Sequence, residues 1–336
     1  MLNNKSVLIT GATGSFGTEY IFFILKKYPK IKRLIVFSRD ELKQYNLNKK
    51  ISNFFKKEFG SLRFFLGDVR DKERLIRATK DVDYIIHAAA LKQVPAAEYN
   101  PFEFVKTNIM GAQNIIDAAL ENKIKKVIAL STDKACSPIN FYGATKLCSD
   151  KLFISANNFK GKTDTSFAVV RYGNVMGSRG SVIPLFLELK LNKINTFPIT
   201  SKQMTRFNIT LEESVKMVDW TLKNSAGGEI FVPKLKSYKI LDVAKSINNN
   251  FKINIIGLRP GEKVHEELIS SHDSPYVYDV GKYYVIANAI DNQLLKFYNK
   301  KGKKVNENFV YSSNSNNDFL SVKELKFLIS NEMLHK

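Results

Sequence analysis

The sequence predicts an α/β fold: a doubly wound parallel sheet with helices on both faces, followed by a smaller C-terminal α/β portion. The first observation behind this prediction is that short apolar runs of strand character alternate with amphipathic helical segments in the first half of the chain. Such alternation is typical of parallel sheets with right-handed crossovers. The second observation is a glycine-rich turn directly after the first apolar run, as in nucleotide-binding sheets.

The length and composition fit one large domain with a smaller attached part. The chain has 336 residues, of which 44% are hydrophobic, and this is enough to bury a large core. It shows no apolar run of about 18 residues and no signal-peptide pattern near its start. We therefore expect a cytoplasmic protein with no membrane span.

The charge and the cysteine content indicate which ligands, among nucleic acid, small anions and metal ions, the chain is expected to bind. The net charge of +20 is compatible with nucleic acid, with anionic small ligands or with a lysine-rich surface. The basic residues are spread along the chain, and no nucleic-acid-binding motif is present. Cys136 and Cys148 have neither the spacing nor the histidine neighbours of a metal site. The sequence predicts no nucleic-acid partner and no metal.

The first strand, Ser6–Thr10, leads into a turn that carries Gly11, Gly14 and Gly17. Glycines let the backbone approach a pyrophosphate, and the helix that follows, to about Lys27, adds amide donors and the positive end of its dipole. A glycine turn between an N-terminal strand and an amphipathic helix predicts a dinucleotide site.

The second strand, Arg33–Phe37, ends at the polar segment 38–43. An acidic side chain at this point would hold the ribose 2′-hydroxyl of NAD, whereas Arg39 and Lys43 offer two cations to a 2′-phosphate. Asp40 then only caps the next helix. The pattern favours NADP over NAD, and the alternative is two ordinary basic residues at a helix start.

Two further strands complete the predicted nucleotide-binding half. Leu62–Leu66 is followed by Asp68, whose carboxylate we expect near the adenine. Asp83–His87 runs into Ala88–Ala90, whose small side chains let a ribose and a nicotinamide pass close to the backbone. Lys92 then lies at the mouth of the site.

The polar residues with the strongest chemical signal follow the fifth strand. A long core-facing helix from Pro101 to about Leu120 precedes the strand Val127–Leu130. Directly after that strand come Thr132, Asp133 and Lys134 (the 132–134 segment), at the edge where open α/β sheets place reacting groups.

Tyr142 and Lys146 lie four residues apart on a predicted helix that begins near Ser137-Pro138, so they share one face. The ammonium of Lys146, beside a positively charged nicotinamide, is predicted to lower the pKa of Tyr142 from its usual value of about 10. Tyr142 could then take a proton from a sugar hydroxyl. The alternative is a surface helix that carries this pair by chance, but its position after a strand favours catalysis.

The substrate portion is predicted to begin after the sixth strand, Phe167–Tyr172, with the glycine-rich segment 173–180. The predicted domains are an NADP-binding domain over 1–175 and a substrate-binding portion over 176–336, of which some segments can return to the main sheet. Arg206, Arg259 and Glu262 are the polar residues there that we expect to contact a nucleotide.

The end of the chain has a clear helix signal. Residues 311–318 are predicted to form a loop because they are rich in Ser and Asn. Ser321 with Glu324 predicts a capping box for a last helix.

Together these motifs resemble the extended short-chain dehydrogenase/reductases, a Rossmann-like superfamily. Within it, the chain is similar to the inverting UDP-N-acetylglucosamine 4,6-dehydratases, which epimerise carbon 5 and open pseudaminic acid synthesis. The glycine turn and Tyr-x-x-x-Lys indicate only the superfamily, whereas Thr-Asp-Lys is more specific, since retaining hexose dehydratases carry Thr-Asp-Glu there. A related membrane-linked branch has Met at the position of Tyr142. The similarity spans about residues 5–270, and its carrying segments are Thr10–Gly17, Ser38–Lys43, Gly67–Asp71, His87–Pro101, Ser131–Ala135, Pro138–Lys146, Arg171–Pro184, Met204–Phe207 and Leu258–Glu267.

The resemblance implies a reaction in which Tyr142 deprotonates the hydroxyl on sugar carbon 4 while a hydride passes to NADP+. Lys134, as a neutral amine, would remove the hydrogen on carbon 5, and Asp133, as a protonated acid, would help hydroxide leave carbon 6 before the hydride returns there. Reprotonation of carbon 5 on the opposite face gives the L-arabino 4-keto sugar. As an ion pair, Asp133 and Lys134 would each hold the wrong protonation state. Either their side chains point to different parts of the substrate, or burial offsets their attraction.

Motifs and resemblance together define three sets of candidate residues. The catalytic set is Thr132, Asp133, Lys134 and Tyr142. The NADP set is Gly11, Thr13, Gly14, Ser15, Phe16, Gly17, Ser38, Arg39, Asp40, Glu41, Leu42, Lys43, Asp68, Val69, Ala88, Lys92, Thr107, Tyr142, Lys146 and Val175. The set for UDP-N-acetylglucosamine is Lys92, Thr132, Asn174, Arg206, Arg259 and Glu262. Pairing of Arg259 with Glu262 across a turn is the alternative for those two.

The sequence also bears on the assembly state and on two alternative classes of function. The resemblance suggests a homo-oligomer, either a dimer or a hexamer. A retaining nucleotide-sugar 4,6-dehydratase or a 4-epimerase on the same scaffold is disfavoured by Lys134. A non-catalytic NADP-binding regulatory protein or an RNA-binding protein is disfavoured because Asp133, Lys134, Tyr142 and Lys146 occur together.

Overall fold

The computed structural model of this chain describes residues 1–55, 58–178 and 180–334, with side chains to residue 331, so that position 179 of the glycine-rich segment lies outside it. The strands are β1 (Ser6–Thr10), β2 (Arg33–Ser38), β3 (Leu62–Leu66), β4 (Tyr84–His87), β5 (Lys126–Thr132), β6 (Ser166–Tyr172), β7 (Asn174–Val175), β8 (Thr196–Ile199), β9 (Thr205–Ile209), β10 (Glu229–Pro233), β11 (Ser237–Lys239), β12 (Lys252–Ile255), β13 (Glu267–Ile269), β14 (Val277–Asp279), β15 (Tyr283–Ala287), β16 (Lys303–Lys304) and β17 (Tyr311–Ser312). The helices are α1 (Ser15–Lys27), α2 (Glu41–Phe54), α3 (Lys72–Ala78), α4 (Val94–Tyr99), α5 (Pro101–Phe104), α6 (Gly111–Glu121), α7 (Phe141–Phe159), α8 (Val182–Leu191), α9 (Leu211–Asn224), α10 (Ile240–Ile247), α11 (Asn292–Lys301) and α12 (Val322–Leu334).

A ten-stranded sheet in the order β16-β14-β15-β10-β6-β5-β4-β1-β2-β3 forms the centre of the molecule. The run from β10 to β3 is parallel, and β15, β14 and β16 extend it in antiparallel pairing. Every residue of β1 and of β6 is buried, as expected for strands covered by helices on both faces. The predicted doubly wound α/β fold is confirmed.

The strand order reverses between β1 and β4, since β2 and β3 lie on one side of β1 while β4, β5 and β6 lie on the other. Helices that cross to opposite faces leave a crevice at such a switch point, beyond the carboxyl ends of the strands. The hydroxyl of Thr10, at the end of β1, accepts hydrogen bonds from the amides of Ala88 and Ala89 at 3.2 Å each. These bonds hold the turn after β4 against the end of β1.

The predicted helix from Pro101 to Leu120 is a helical segment in three parts rather than one α-helix. A π-helical stretch, Val105–Met110, separates α5 from α6. Within it the Asn108 amide is buried and bridges the backbone of Leu91 and the hydroxyl of Thr145. This side chain ties the widened turn to the loop after β4 and to α7.

The predicted start of the next helix near Ser137-Pro138 is corrected, because α7 begins at Phe141. Ser137 has a left-handed backbone with φ 43°, which ends any helical path through it. Asn140 instead caps the helix, and its side-chain oxygen accepts from the amide of Gly143 at 2.7 Å.

The C-terminal portion contributes strands to the central sheet and also forms small sheets of its own. Strands β10, β14, β15 and β16 belong to the central sheet. The remaining strands form three small sheets, β11-β9-β7, β12-β8 and β13-β17. A second hydrophobic cluster joins α8, α10, α12 and β8 through residues such as Phe186, Phe197 and Leu325.

The last segments follow the predicted pattern with one correction. Tyr311 and Ser312, predicted as loop, form β17 because they pair with β13. The capping box at the start of α12 is confirmed: Glu324 accepts from the amide of Ser321 at 2.8 Å, and Ser321 accepts from the amide of Glu324 at 3.3 Å. None of the helices in the described part of the chain is long and apolar enough to cross a membrane.

Candidate active site

A cavity of about 1050 Å³ runs along the carboxyl ends of the parallel strands and past the small sheets of the C-terminal portion. It brings most of the predicted residues together, from the glycine turn to Arg259. Three predicted residues do not line it. Asp133 is fully buried behind the cavity wall. Glu41 and Leu42 lie on α2, where Leu42 is 68% exposed.

The glycine turn packs so closely on the sheet that other residues would not fit. Gly11 has φ +63°, and a Cβ added there would lie 2.8 Å from the Ala89 nitrogen and 2.9 Å from the carbonyl of Ala88. A Cβ at Gly17 would lie 2.5 Å from the Cα of Ala12. The N-cap of α1 is Gly14, so no side chain covers the amides of the first turn. These residues fit a dinucleotide, whose pyrophosphate such amides bind.

The segment after β2 combines a helix cap with basic side chains. Asp40 caps α2 by accepting from the Lys43 amide at 2.9 Å, and its carboxylate lies 2.8 Å from the Lys43 ammonium. These contacts with Lys43 lower the pKa of Asp40. Arg39 lies 3.6 Å from Asp68, and more than half of its side chain is exposed. A guanidinium on the cavity wall therefore remains open to an anion.

The 132–134 segment and α7 are held in contact by a second glycine. Lys134 belongs to a short 3-10 helix, Asp133–Ala135, that follows β5. A Cβ at Gly143 would lie 2.2 Å from the carbonyl oxygen of Lys134. Only glycine allows this approach, which sets Tyr142 beside Lys134. Sequence reasoning missed Gly143, although its place inside Tyr-Gly-x-x-Lys was a usable signal.

Tyr142 and Lys146 both face the cavity, but their predicted electrostatic relation is corrected. Burial raises the pKa of Tyr142 to about 12, and the influences that oppose this rise are Lys134 and the Thr132 hydroxyl. The ammonium of Lys146 donates to the carbonyl of Leu130 at 2.9 Å, and burial lowers the pKa of Lys146. Lys134 rather than Lys146 is thus the cation that favours the Tyr142 phenolate in this structure.

Behind Lys146 lies a buried polar group that the sequence did not point to. Asp150 on α7 accepts from the hydroxyl of Ser131 at 2.7 Å and from the Arg171 guanidinium at 3.3 Å. Asp150 raises the pKa of Lys146 against the larger effect of burial. A polar residue four positions after Lys146, on the same helix face, was the available signal.

Lys134 lies between two carboxylates. Its Nζ is 3.0 Å from Asp133 Oδ1 and 3.0 Å from Glu266 Oε1. Burial alone would lower the pKa of Lys134, but Asp133 and Glu266 together raise it. Burial raises the pKa of Asp133. The alternative in which the Asp133 and Lys134 side chains point to different places is therefore wrong, and so is a resting neutral amine at Lys134, because two carboxylates hold its proton.

Glu266 was not predicted from the sequence. It is 2% exposed and lies 3.7 Å from the Arg206 guanidinium. Burial by itself would raise the pKa of Glu266, yet Lys134 and Arg206 lower it. The residue falls in the Leu258–Glu267 segment that carried part of the resemblance, but nothing in its spacing singled it out.

The loop before Glu266 closes one side of the cavity. Gly261 has φ +73°, and its carbonyl accepts from the Asn140 side chain at 2.8 Å. The Lys263 ammonium donates to the carbonyl of Cys136 at 2.7 Å. Glu262 accepts from the backbone amide of Arg259 at 3.2 Å and lies 3.7 Å from Arg206. A turn thus joins residues 259 and 262 through the backbone of Arg259, and the contact of Arg259 and Glu262 with a nucleotide stays a prediction.

Whole-chain relatives are found among known proteins. Residues 7–288 match the family of polysaccharide biosynthesis proteins. Over 336 aligned residues the chain is 52% identical to the UDP-N-acetylglucosamine 4,6-dehydratase (inverting) of Campylobacter jejuni, with 98% of each chain covered. It is also 42% identical over 339 aligned residues to a UDP-glucose 4-epimerase of Rickettsia bellii, with 98% of this chain and 97% of that protein covered.

Solved structures share the architecture. The X-ray structure of Pen from Bacillus thuringiensis matches with a TM-score of 0.89 and 36% identity, covering 99% of both chains. A dTDP-glucose 4,6-dehydratase from Streptomyces venezuelae, solved with NAD bound, matches with a TM-score of 0.68 and 22% identity over 77% of this chain and 86% of that one. The second match indicates a common fold.

Proposed function

The chain belongs to the family of polysaccharide biosynthesis proteins, and we infer that it is an inverting UDP-N-acetylglucosamine 4,6-dehydratase. The observation that carries this function is the meeting at one cavity of Tyr142 and Lys134, with the buried Asp133 paired to Lys134 behind it. The 52% identity to the Campylobacter jejuni dehydratase over 98% of both chains supports the same reaction. The reaction removes water across carbons 5 and 6 of the sugar and leaves a ketone at carbon 4.

A nicotinamide cofactor fits the N-terminal half of the cavity. The amides at the start of α1 and the close-packed Gly11 would hold its pyrophosphate, while Arg39 would meet a 2′-phosphate if the cofactor is NADP. A bound nicotinamide would supply the hydride acceptor for carbon 4 and the hydride donor for carbon 6. All other steps fall to the side chains of this chain.

Tyr142 is the base for the carbon 4 hydroxyl. Its phenol oxygen would accept the hydroxyl proton, and the nearby Lys134 ammonium favours the phenolate against the effect of burial. Lys146 lies on the same face of α7 as Tyr142 and donates to the carbonyl of Leu130. It adds a second positive charge near Tyr142. The ketone that results makes the hydrogen on carbon 5 acidic.

Asp133 and Lys134 serve the elimination as one unit. Transfer of one proton from the Lys134 ammonium to the Asp133 carboxylate gives a neutral amine and a carboxylic acid without changing the net charge of the pair. Burial favours this neutral pair, since it raises the pKa of Asp133. The amine would take the carbon 5 proton. Asp133 does not line the cavity, so its proton would reach the hydroxide that leaves carbon 6 through the Thr132 hydroxyl, which lies 3.0 Å from Asp133 and lines the cavity.

A 4-epimerase is the second candidate, because the Rickettsia bellii relative is 42% identical over almost the whole chain. Epimerisation shares the oxidation at carbon 4 and would use Tyr142 in the same way. It would return the hydride to carbon 4 instead of carbon 6, and it would have no use for a base at carbon 5. The Lys134 pair is what favours dehydration.

The test is proton NMR of the purified protein with UDP-N-acetylglucosamine in deuterated water and without added cofactor. A new methyl signal, deuterium at carbon 5 and the coupling constants of the L-arabino sugar are expected. A D-xylo product would mean retention at carbon 5. Formation of UDP-N-acetylgalactosamine without a methyl signal would support the epimerase instead.

Several finer assignments stay predictions from the sequence. These are NADP rather than NAD, a homo-oligomeric dimer or hexamer, a cytoplasmic location and a role in pseudaminic acid synthesis. The division into residues 1–175 and 176–336, the list of ligand-contacting residues and the absence of a metal have the same standing. Mass spectrometry of the cofactor released on denaturation would distinguish NADP from NAD.

A further inference from the structure

Glu266 has no role in the reaction as derived above, yet it is one of the closest neighbours of Lys134. Its Oε1 lies 3.0 Å from the Lys134 Nζ, and its side chain is 2% exposed. Its other oxygen is buried and has no hydrogen-bond partner within the described part of the chain. A buried carboxylate that lines the cavity with one oxygen unused calls for an explanation.

The surroundings of Lys134 fix where its nitrogen lies. An ammonium carries three N–H donors, and three acceptors surround this one: Asp133 and Glu266 at 3.0 Å each, and the Asn174 side-chain oxygen at 3.4 Å. Asp133 is adjacent in sequence and lies on the same 3-10 helix. Glu266 approaches from a different part of the chain, so it limits the rotation of the long lysine side chain.

A second cation, Arg206, lies near the same carboxylate oxygen of Glu266 that Lys134 contacts. The Arg206 guanidinium lies 3.7 Å from Glu266 and is fixed by the carbonyls of Thr205 and Val264 at 2.7 and 3.0 Å. Lys134 and Arg206 lower the pKa of Glu266 despite its burial. Glu266 thus stays ionised under conditions in which the burial of Asp133 favours a neutral acid.

We propose that Glu266 is a positioning residue for the dehydration step, an anion that holds the Lys134 nitrogen in place while a proton moves between Lys134 and Asp133. The proposal rests on the function proposed above and deepens it. An N–H bond of Lys134 breaks as an O–H bond of Asp133 forms. The C–H bond at carbon 5 then breaks, its proton goes to the Lys134 nitrogen, and its electron pair goes to the 4-keto oxygen.

The remaining steps return the cluster to its starting state. Collapse of the enolate expels hydroxide from carbon 6, which takes the Asp133 proton through the Thr132 hydroxyl and leaves as water. Lys134 is again an ammonium and Asp133 again a carboxylate, while Glu266 has stayed charged throughout. The hydride then returns to carbon 6. Carbon 5 takes a proton from solvent, and the Tyr142 phenol releases to solvent the proton that it took from the carbon 4 hydroxyl, which explains deuterium at carbon 5.

The charged and titratable groups that face Lys134 and Glu266 set the expected pH dependence of carbon 5 exchange. They are Asp133, Tyr142, Arg206, Tyr238, Glu262 and Lys263. Glu266 raises the pKa of both Asp133 and Lys134. Its removal should therefore shift both limbs of a bell-shaped pH profile for carbon 5 exchange to lower pH.

The experiment compares Glu266→Gln with wild-type holoenzyme, purified with its bound cofactor, in two measurements. Single-turnover absorbance of the reduced nicotinamide reports oxidation at carbon 4, and NMR in deuterated water reports exchange at carbon 5. We expect exchange to fall by about 10²-fold and its pH profile to move to lower pH. Oxidation at carbon 4 should fall much less, because Lys134 affects that step only through its charge near Tyr142. Glu266→Asp should recover part of the exchange rate.

Two results would overturn the proposal: an equal loss of both steps, or an exchange profile whose pH dependence does not move. Glu229→Gln is the matched control, because Glu229 is also a fully buried carboxylate, bound to the amides of Ala226 and Gly227 and away from the cavity. It should lower stability but keep the ratio of the two rates. If Glu266→Gln does not fold, Glu266→Asp carries the test through the same ratio. Absence of a methyl product from the wild-type enzyme would instead contradict the proposed function itself.

Discussion

The two halves of the cavity are built by different means. The N-terminal half is formed by backbone that lies close to backbone, as where Gly11 faces Ala88 and Ala89. The C-terminal half is formed by charged side chains, Lys134, Arg206 and Glu266, that come from distant parts of the chain. A backbone cradle is specified by short local motifs, whereas an ionic cluster exists only once the chain has folded. We therefore expect substitutions in the N-terminal half to act through steric clashes, and substitutions in the C-terminal half to act through a changed charge balance.

The largest effect is expected where the two halves meet, at Tyr142. Tyr142→Phe removes the base for carbon 4 and should slow product formation by about 10³-fold, within the range of general acid–base catalysis. Initial rates from the methyl signal in NMR measure it. Tyr172→Phe is the control, since Tyr172 also lines the cavity but is the last residue of β6. A Tyr142→Phe enzyme with near-native rates would remove Tyr142 from the mechanism.

The next largest effect should come from the backbone cradle. In Gly11→Ala the new Cβ would lie within 2.9 Å of Ala88 and Ala89 at a backbone φ of +63°. We expect the free energy of unfolding to fall by about 2 kcal/mol and the protein to purify with less cofactor. Chemical denaturation and the absorbance of released cofactor measure both. Gly60→Ala, where nothing lies within 4 Å of the added Cβ, should change neither, and equal behaviour of the two variants would contradict the steric explanation.

A buried imidazole at the end of β4, next to the N-terminal half of the cavity, makes the stability of the protein depend on pH. Burial lowers the pKa of His87 to about 3, whereas an unfolded histidine titrates near 6.5. Between these values the unfolded chain binds one proton more, so this contribution to stability is complete above about pH 6.5 and is lost as the pH falls. The slope is about 1.4 kcal/mol per pH unit.

His87→Phe should remove this slope from the free energy of unfolding measured between pH 4 and pH 6. Thr10→Val is the matched control, because it removes the hydrogen-bond partner of the ring, at 2.8 Å, but keeps the imidazole. A His87→Phe protein with the wild-type slope would show that His87 is not the titrating group.

The smallest effect is expected in the loop that closes the C-terminal half. Gly261→Ala would place a Cβ 2.7 Å from the Cβ of Asn140 and shift the loop that carries Arg259 and Glu262. We expect KM for the nucleotide sugar to rise by about 10-fold, with little change in cofactor content. Gly257→Ala is the control: its φ of +78° gives the same backbone strain, but nothing lies within 4 Å. Steady-state kinetics measure KM for both variants. An equal rise in KM for Gly261→Ala and Gly257→Ala would assign the effect to backbone strain rather than to the contact with Asn140.

The fold and the family were predictable because their signals are local. Strand boundaries such as Ser6–Thr10 and Leu62–Leu66 agree with the structure. Ser6–Thr10 is buried on both faces and contains no charged residue, whereas Leu62–Leu66 is an edge strand that is only partly buried. The family resemblance is confirmed by the match over residues 7–288. The start of α7 at Phe141 was missed because it depends on one left-handed residue, Ser137.

The sequence by itself determined the glycine turn, the strands of the nucleotide-binding half and the reactive side chains between residues 132 and 146, because each of these depends on a few neighbouring residues. Only the tertiary structure decided the protonation of Lys134, the raised pKa of Tyr142 and the part played by Glu266. The physical reason is that a pKa depends on burial and on charges within a few ångströms. Glu266 and Lys134 lie far apart in sequence but 3.0 Å apart in space, and no local pattern encodes that distance.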